Sequence, residues 1–250
     1  MRLNQFLSRA GVTSRRGADR LIQSGQVSVN AKTITELGTQ INPEKDRVKV
    51  SGKRVQLEEF KYFIFHKPQG MISTLKDPQE RQSFETIVES VGTRVVPVGR
   101  LDYNTEGLIL LTNDGELVHR FLHPKFQVPR KYHVKVKGIL TPEEFEKIKK
   151  GIHLEDGKVY AEVKPLHKLE KNSELEVVVR EGRNHLIRRL MLALGHPVIK
   201  LTRIGLGPLV LGALPKGQYR RLYPDEVKLL KAWVVKNTQK SKQNSTSKLS

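Results

Sequence analysis

The sequence contains no cysteine in 250 residues. That absence excludes disulfide-stapled scaffolds, cysteine-type zinc modules and thiolate nucleophiles, including pyrimidine chemistry that proceeds through an enzyme thiolate. Acidic residues are scarce beside basic ones: 26 Asp+Glu against 45 Lys+Arg leave a formal charge of +19. Also missing is any apolar run approaching the ~20 residues that cross a bilayer. Met1-Arg2-Leu3-Asn4-Gln5 lacks the hydrophobic stretch of a secretory signal. The expectation is a cytoplasmic protein with no membrane partner. What is present, 37% hydrophobic and 28% charged residues, suits a globular chain of one or two domains.

The positive excess points to a polyanionic partner, because Lys and Arg that neutralise phosphates release condensed counterions. Part of it is a tail. From Lys228 onward there are six Lys and no acid, and residues 236–250 read as a basic disordered segment. The rest lies inside patterned segments, so nucleic acid is the expected partner and a membrane surface the weaker rival.

Leu3, Phe6, Leu7 and Ala10 recur at helical spacing and stop at Gly11. Ser14 then caps a second helix with Ala18, Leu21 and Ile22 as its apolar stripe and Gly25 at its end. Val27 and Val29 alternate as in a strand, and Val48-Lys49-Val50 is another, closing a unit of residues 1–60. Arg15 and Arg16 stand in the first turn of the second helix, where cations oppose the helix dipole. The placement makes sense with a phosphate at that terminus; otherwise they are two solvated arginines. Arg2–Leu7, Ser14-Arg15-Arg16 and Leu21–Asn30 resemble the S4 RNA-binding domain, which narrows the partner to RNA.

Residues 61–235 alternate strands and helices without a regular βαβ rhythm, which predicts an α+β fold with a mixed or antiparallel sheet. Tyr62–His66 is a strand ending at Lys67-Pro68, and Val95–Val98 and Leu108–Leu111 are apolar runs around a polar loop. Lys131–Lys137 puts Tyr132, Val134 and Val136 on one face, and Thr141-Pro142-Glu143-Glu144 is a capping box. Glu174–Arg180 is a strand, His185–Leu194 an amphipathic helix, and Pro224–Val235 the last helix.

The loop Gly99-Arg100-Leu101-Asp102-Tyr103-Asn104-Thr105-Glu106-Gly107 sits between buried strands, a usual position for catalytic groups, though an ordinary turn has the same composition. Gly99–Asp102, Thr105, Gly107 and Leu108 through Glu116 resemble the signature of the RsuA/RluB pseudouridine synthases. So do Arg130-Lys131-Tyr132, Glu181–Arg189, Ile199–Ile204 and Leu214–Leu222, in the family's order.

The resemblance implies an S4 domain followed by a catalytic domain that isomerises uridine to pseudouridine in ribosomal RNA, with no cofactor and no metal. It makes Asp102 the essential carboxylate, attacking ribose C1′ or taking a proton from C2′. Tyr132 stacks on the flipped uracil and assists removal of the C5 proton, and Arg100 fills the gap left in the RNA. Arg188 pairs with Asp102 and keeps it ionised, and Leu201 packs on the base. Without the resemblance, Tyr132 reads equally as core. Leu186 stands where the family more often has Gln.

The Leu214-Pro215-Lys216-Gly217 tract resembles the large-subunit branch and implies 23S rRNA, with 16S rRNA the alternative and a monomer expected. Other patterns carry less. Asp102 and Glu106 could form a glycosidase-like pair, and His119 and His123 are spaced to share a metal. Gly205-Leu206-Gly207-Pro208 does not complete a dinucleotide fingerprint. The rival from another class is a non-catalytic RNA-binding or ribosome-assembly protein.

Overall fold

The computed structural model describes residues 1–74 and 82–246. Its N-terminal unit holds helices α1 (Leu3–Arg9) and α2 (Arg15–Gln23), followed by strands β1 (Val27–Val29), β2 (Lys32–Ile34), β3 (Val48–Val50) and β4 (Lys53–Val55). The helices form where the apolar spacing puts them, burying Leu3, Phe6, Leu7, Ala18 and Ile22 against Val27 and Val48. Ser14 Oγ accepts the Gly17 N–H at 3.0 Å, which is the N-cap bond expected of that serine. The strands pair in the order β2-β1-β3-β4, all antiparallel.

The larger unit begins with β5 (Tyr62–Lys67), α3 (Glu85–Val91), β6 (Val96–Pro97), β7 (Glu106–Thr112) and α4 (Gly115–Leu122). It continues with β8 (Arg130–Lys137), α5 (Pro142–Lys150), a hairpin of β9 (Ile152–Leu154) and β10 (Gly157–Val159), then β11 (Glu162–Lys168) and β12 (Asn172–Val179). α6 (Leu186–Ala193), β13 (Val198–Leu206), β14 (Leu209–Val210), β15 (Tyr219–Arg221) and α7 (Pro224–Thr246) complete it. The large sheet runs β11-β12-β8-β13-β7-β5-β15, with β6 and β14 paired beside it.

Every pairing is antiparallel except β13 with β7, so the sheet is mixed. β5 and β7 are buried at every residue, which is why their sequences read as continuous apolar runs. β8 and β12 bury alternate residues, and Tyr132, Val134 and Val136 face one core as their spacing predicts. Phe63, Phe65, Ile109 and Leu111 pack into a cluster with Leu190 and Met191 of α6. Tyr62, Ile64, Leu108 and Leu110 join a second cluster with Phe121 and Leu230.

The parallel junction sets the position of the site. Thr202 and Arg203 pair with Glu106 and Gly107, and a Cβ on Gly107 would lie 2.4 Å from the Arg203 carbonyl oxygen. Only glycine lets the two backbones approach this closely, and its φ of +119° adds the same requirement. One expectation needs correction. α7 continues through Thr246, where the sequence suggested a disordered segment from residue 236. No Gly or Pro interrupts 225–246, and Lys and Gln have good helix propensity, so nothing local stops the helix. Residues 247–250 of that segment lie outside the described residues. Among the described residues, no helix is long and apolar enough to cross a membrane.

Candidate active site

A cavity of about 710 Å³ opens where the Gly99–Thr105 loop meets β8, β13 and the start of α6, and Asp102, Tyr132, Leu201 and Arg100 all line it. Its loop is held in place by donors from elsewhere in the chain. The Lys67 ammonium, fully buried at the end of β5, donates to the carbonyls of Pro68 and Asp102 at 3.1 Å and of Thr105 at 2.8 Å. Gly70 N–H donates to the Tyr103 carbonyl at 3.0 Å, and Arg188 Nη2 to that of Asn104 at 2.9 Å. Ser73 Oγ donates to the Leu101 carbonyl at 2.6 Å and accepts the Leu101 N–H at 3.0 Å. Thus each carbonyl from Leu101 through Thr105 has a donor outside the loop. A backbone fixed at five successive carbonyls holds the Asp102 carboxylate in place at the cavity, which is the preorganisation that catalysis requires.

Burial pushes the Lys67 ammonium down to about 8, with Arg203 adding to the effect and the carboxylates of Asp102 and Glu106 opposing it. From the sequence alone, Lys67 reads only as the end of a strand. A lysine directly after Phe63-Ile64-Phe65-His66 carried the signal, because so apolar a run is buried on both faces.

The expected pairing of Arg188 with Asp102 is not found. Arg188 binds the loop backbone at Asn104, and it is the His185 imidazole that stands beside Asp102, its Nε2 3.6 Å from Oδ1. The reason is local. His185 takes a left-handed conformation (φ 49°) ahead of α6, which brings its ring to the carboxylate, while Arg188 emerges over the tip of the loop. Arg189 donates to Asp156 Oδ2 at 2.7 Å. Arg183 binds the same turn, at Asp156 Oδ1 and three carbonyls, so the β9–β10 hairpin is fastened to the N-terminal end of α6.

Tyr132 is 8% exposed and belongs at once to the core cluster and the cavity wall, so its two readings from sequence are compatible. Leu201 stands opposite Val134, next to it across β8 and β13, and Arg100 is exposed. Leu186 is buried among apolar side chains, where a glutamine would need a polar partner. Arg15 and Arg16 are exposed on α2, in the other domain. His119 and His123 lie with ring centroids 5.3 Å apart, and His123 lines the cavity edge.

Glu106 is unsuited to a glycosidase-like pair with Asp102. Its carboxylate is buried and accepts from Thr202 Oγ1 at 2.9 Å, Lys200 Nζ at 3.2 Å and Lys216 Nζ at 2.7 Å. Burial alone would raise its pKa, but hydrogen bonds from Lys216, Thr202 and Lys200 bring it down to about 2. A group so firmly ionised cannot act as a general acid. Its role is to join β7, β13 and the segment before β15.

Because the folded pKa lies below the unfolded value of 4.5, its stabilisation is complete above pH 4.5 and lost as the pH falls toward 2. At neutral pH Glu106→Gln is expected to cost roughly 3 kcal/mol, with the gap from wild type closing over that acid window. Urea titrations of both proteins between pH 7 and pH 2.5 check this; a constant gap would contradict it.

A profile of the family described as RNA pseudouridylate synthase matches residues 61–193, and one of the S4 domain matches residues 1–48. The ribosomal large subunit pseudouridine synthase B of Bacillus subtilis (strain 168) is 42% identical over 234 residues, covering 92% of this chain and 96% of its own. An uncharacterised RNA pseudouridine synthase of Aquifex aeolicus (strain VF5) is 44% identical over 229 residues, covering 91% of this chain and 92% of its own. The crystal structure of a pseudouridylate synthase superposes with a TM-score of 0.64 at 28% identity, over 92% of this chain and 99% of that one. Fold, profiles and relatives spanning nine-tenths of the chain agree: it belongs to the RNA pseudouridine synthases, RNA isomerases, and carries an S4 domain at its N-terminus.

Proposed function

We propose that this synthase isomerises a uridine of 23S rRNA and that Asp102 begins the reaction. The observation that carries the catalytic assignment is the loop clamped at five successive carbonyls, with the Asp102 carboxylate turned to a cavity walled by Tyr132 and Leu201. The large-subunit assignment rests on the Bacillus subtilis relative, whose name states that specificity.

The target uridine leaves its stack, at a cost of a few kcal/mol, and enters the cavity. Tyr132 stacks on the uracil, Leu201 packs on it from the neighbouring strand, and Arg100 occupies the vacated position in the RNA. Asp102 then attacks C1′ or removes the C2′ proton; either route breaks the C1′–N1 bond, after which the ring turns and rejoins through C5. Arg188 holds the loop through Asn104, and the S4 domain grips structured RNA by shape and phosphate contacts.

Release of tritium from C5-tritiated uridine in unmodified 23S and 16S rRNA tests the proposal. Release from 23S rRNA is expected. Release from 16S rRNA alone would move the target to the small subunit, and none from either with binding intact would favour the non-catalytic RNA-binding reading.

The S4 contribution is separable. Replacing Arg15 and Arg16 by Ala is expected to weaken binding and to reduce the salt slope by up to ~0.9 per lost phosphate contact on duplex-like RNA. A filter-binding titration from low to high salt reads this, and an unchanged slope would place both arginines off the interface.

A further inference from the structure

Beneath the catalytic loop the buried cations Lys67 and Arg203 lie near the half-buried Arg130, and the reaction steps above use neither arginine. Arg203 is 2% exposed on β13, lines the cavity and pairs across the sheet with Tyr132. Its Nε donates to the Leu108 carbonyl at 2.7 Å, whereas its Nη2 is buried with no partner among the described residues. Lys67 and Arg130 are close enough to Arg203 for their charges to be felt: burial lowers the Arg203 pKa and Arg130 lowers it further, while the charge of the Tyr132 side chain and a hydrogen bond to it oppose them. The nearby acids are committed elsewhere. Glu106 is neutralised by Lys200 and Lys216, and Asp102 faces His185. A fully buried guanidinium with an unused donor and no carboxylate of its own costs free energy unless an anion completes it during the reaction.

The reaction supplies that anion. When the C1′–N1 bond breaks, its electron pair goes to N1 and the charge spreads over O2 and O4 of the uracil. The same negative charge leaves Asp102, either as a new ester bond to C1′ or as the O–H formed with the C2′ proton. When C5 bonds to C1′ the carboxylate is restored, and the C5 proton is lost while N1 gains one. Charge therefore moves from Asp102 to the detached base and back. We infer that Arg203 is a catalytic residue that stabilises the detached uracil anion through its unpartnered Nη2. It acts as an oxyanion donor does, being favourable chiefly when charge has developed on the ring. This rests on the assignment of Asp102 made above.

The test compares leaving groups. Single-turnover rates are measured for wild type, Arg203→Met and Asp102→Asn on the rRNA that responds in the tritium assay, transcribed with either uridine or 5-fluorouridine triphosphate. Loss of the target nucleoside is followed by nuclease digestion and mass spectrometry. Fluorine stabilises the uracil anion, so the fluorinated base depends less on the protein for charge stabilisation. Arg203→Met is expected to slow the uridine reaction by ~10²–10³-fold, the effect of removing one oxyanion donor. The 5-fluorouridine reaction should slow at least tenfold less, with RNA affinity unchanged.

Equal slowing on both substrates, or less than threefold slowing of folded protein on uridine, would overturn the inference. If Arg203→Met does not fold by circular dichroism, Arg203→Lys is compared in the same way, and equal slowing again overturns it. An active Asp102→Asn enzyme would instead sink the assignment of Asp102, so the two failures are distinguishable.

Discussion

Asp102→Asn abolishes tritium release from C5-labelled rRNA while RNA affinity stays within about twofold of wild type: that is the expected result, and the largest. Asparagine keeps the shape and both polar atoms of the side chain, so the loop, held by Lys67, Gly70, Ser73 and Arg188 through backbone carbonyls, has no reason to move. What disappears is the negative charge. An amide neither attacks C1′ nor takes the C2′ proton, so both routes stop at the first step, and the rate falls by roughly 10⁴-fold or more, the upper range for a lost acid–base group. Binding is expected to survive because removing a carboxylate takes away no cationic contact to the phosphates. Quenched-flow tritium release and filter binding on the same RNA give both numbers. Loss of affinity together with activity would mean that Asp102 holds structure instead of performing chemistry.

The parts of this site that the sequence disclosed are those governed by local rules. Ser14 and Thr141 cap helices through bonds that lie within four residues. Tyr132 falls on the buried face of β8 by simple alternation, and the loop at Asp102 is bracketed by apolar runs that any buried strand pair would show. Hidden were the contacts made across the fold. Ser73 meets Leu101 from 28 residues away, Arg188 meets Asn104 from 84, and Thr202 meets Glu106 from 96. A one-dimensional pattern does not encode which partner a long side chain finds once β7 and β13 come together. The pairing of Arg188 with Asp102 comes from the family resemblance, and no local pattern in the sequence corrects it. The displacement of Arg188 by His185 depends on one left-handed residue ahead of α6, a conformation that a histidine does not advertise. Gly107 was visible as a glycine, but its necessity appears only when the backbone of Arg203 is placed against it.

Lys67 makes the second large effect, and stability and activity are expected to part company there. In Lys67→Met the carbonyls of Pro68, Asp102 and Thr105 lose a donor, although Asp102 keeps the bond from Thr105 N–H. Leaving such groups unpaired costs about 1–3 kcal/mol each. Against this, methionine removes a buried ammonium whose depression from 10.5 to about 8 corresponds to a penalty of about 3 kcal/mol. The opposing contributions are of similar size, so the melting transition shifts little. The loop nevertheless loses its central anchor, and a displacement near 1 Å at Asp102 is enough to lower the rate about 10²-fold.

The pH dependence separates charge from packing. Because the folded pKa lies below the unfolded one, the folding penalty is present in full below pH 8 and relieved as the pH rises toward 10.5, so the protein gains stability over that window. Activity moves the other way: a neutral amine has two N–H donors for three carbonyls, and the loop loosens as Lys67 deprotonates. Wild-type single-turnover rates are expected to fall as the pH rises through about 8, while Lys67→Arg, charged throughout, lacks that limb even if its overall rate is lower. Identical alkaline limbs in the two proteins would assign the titration to the RNA or to another group. Identical rates in wild type and Lys67→Met would show that the other donors hold Asp102 without the buried lysine.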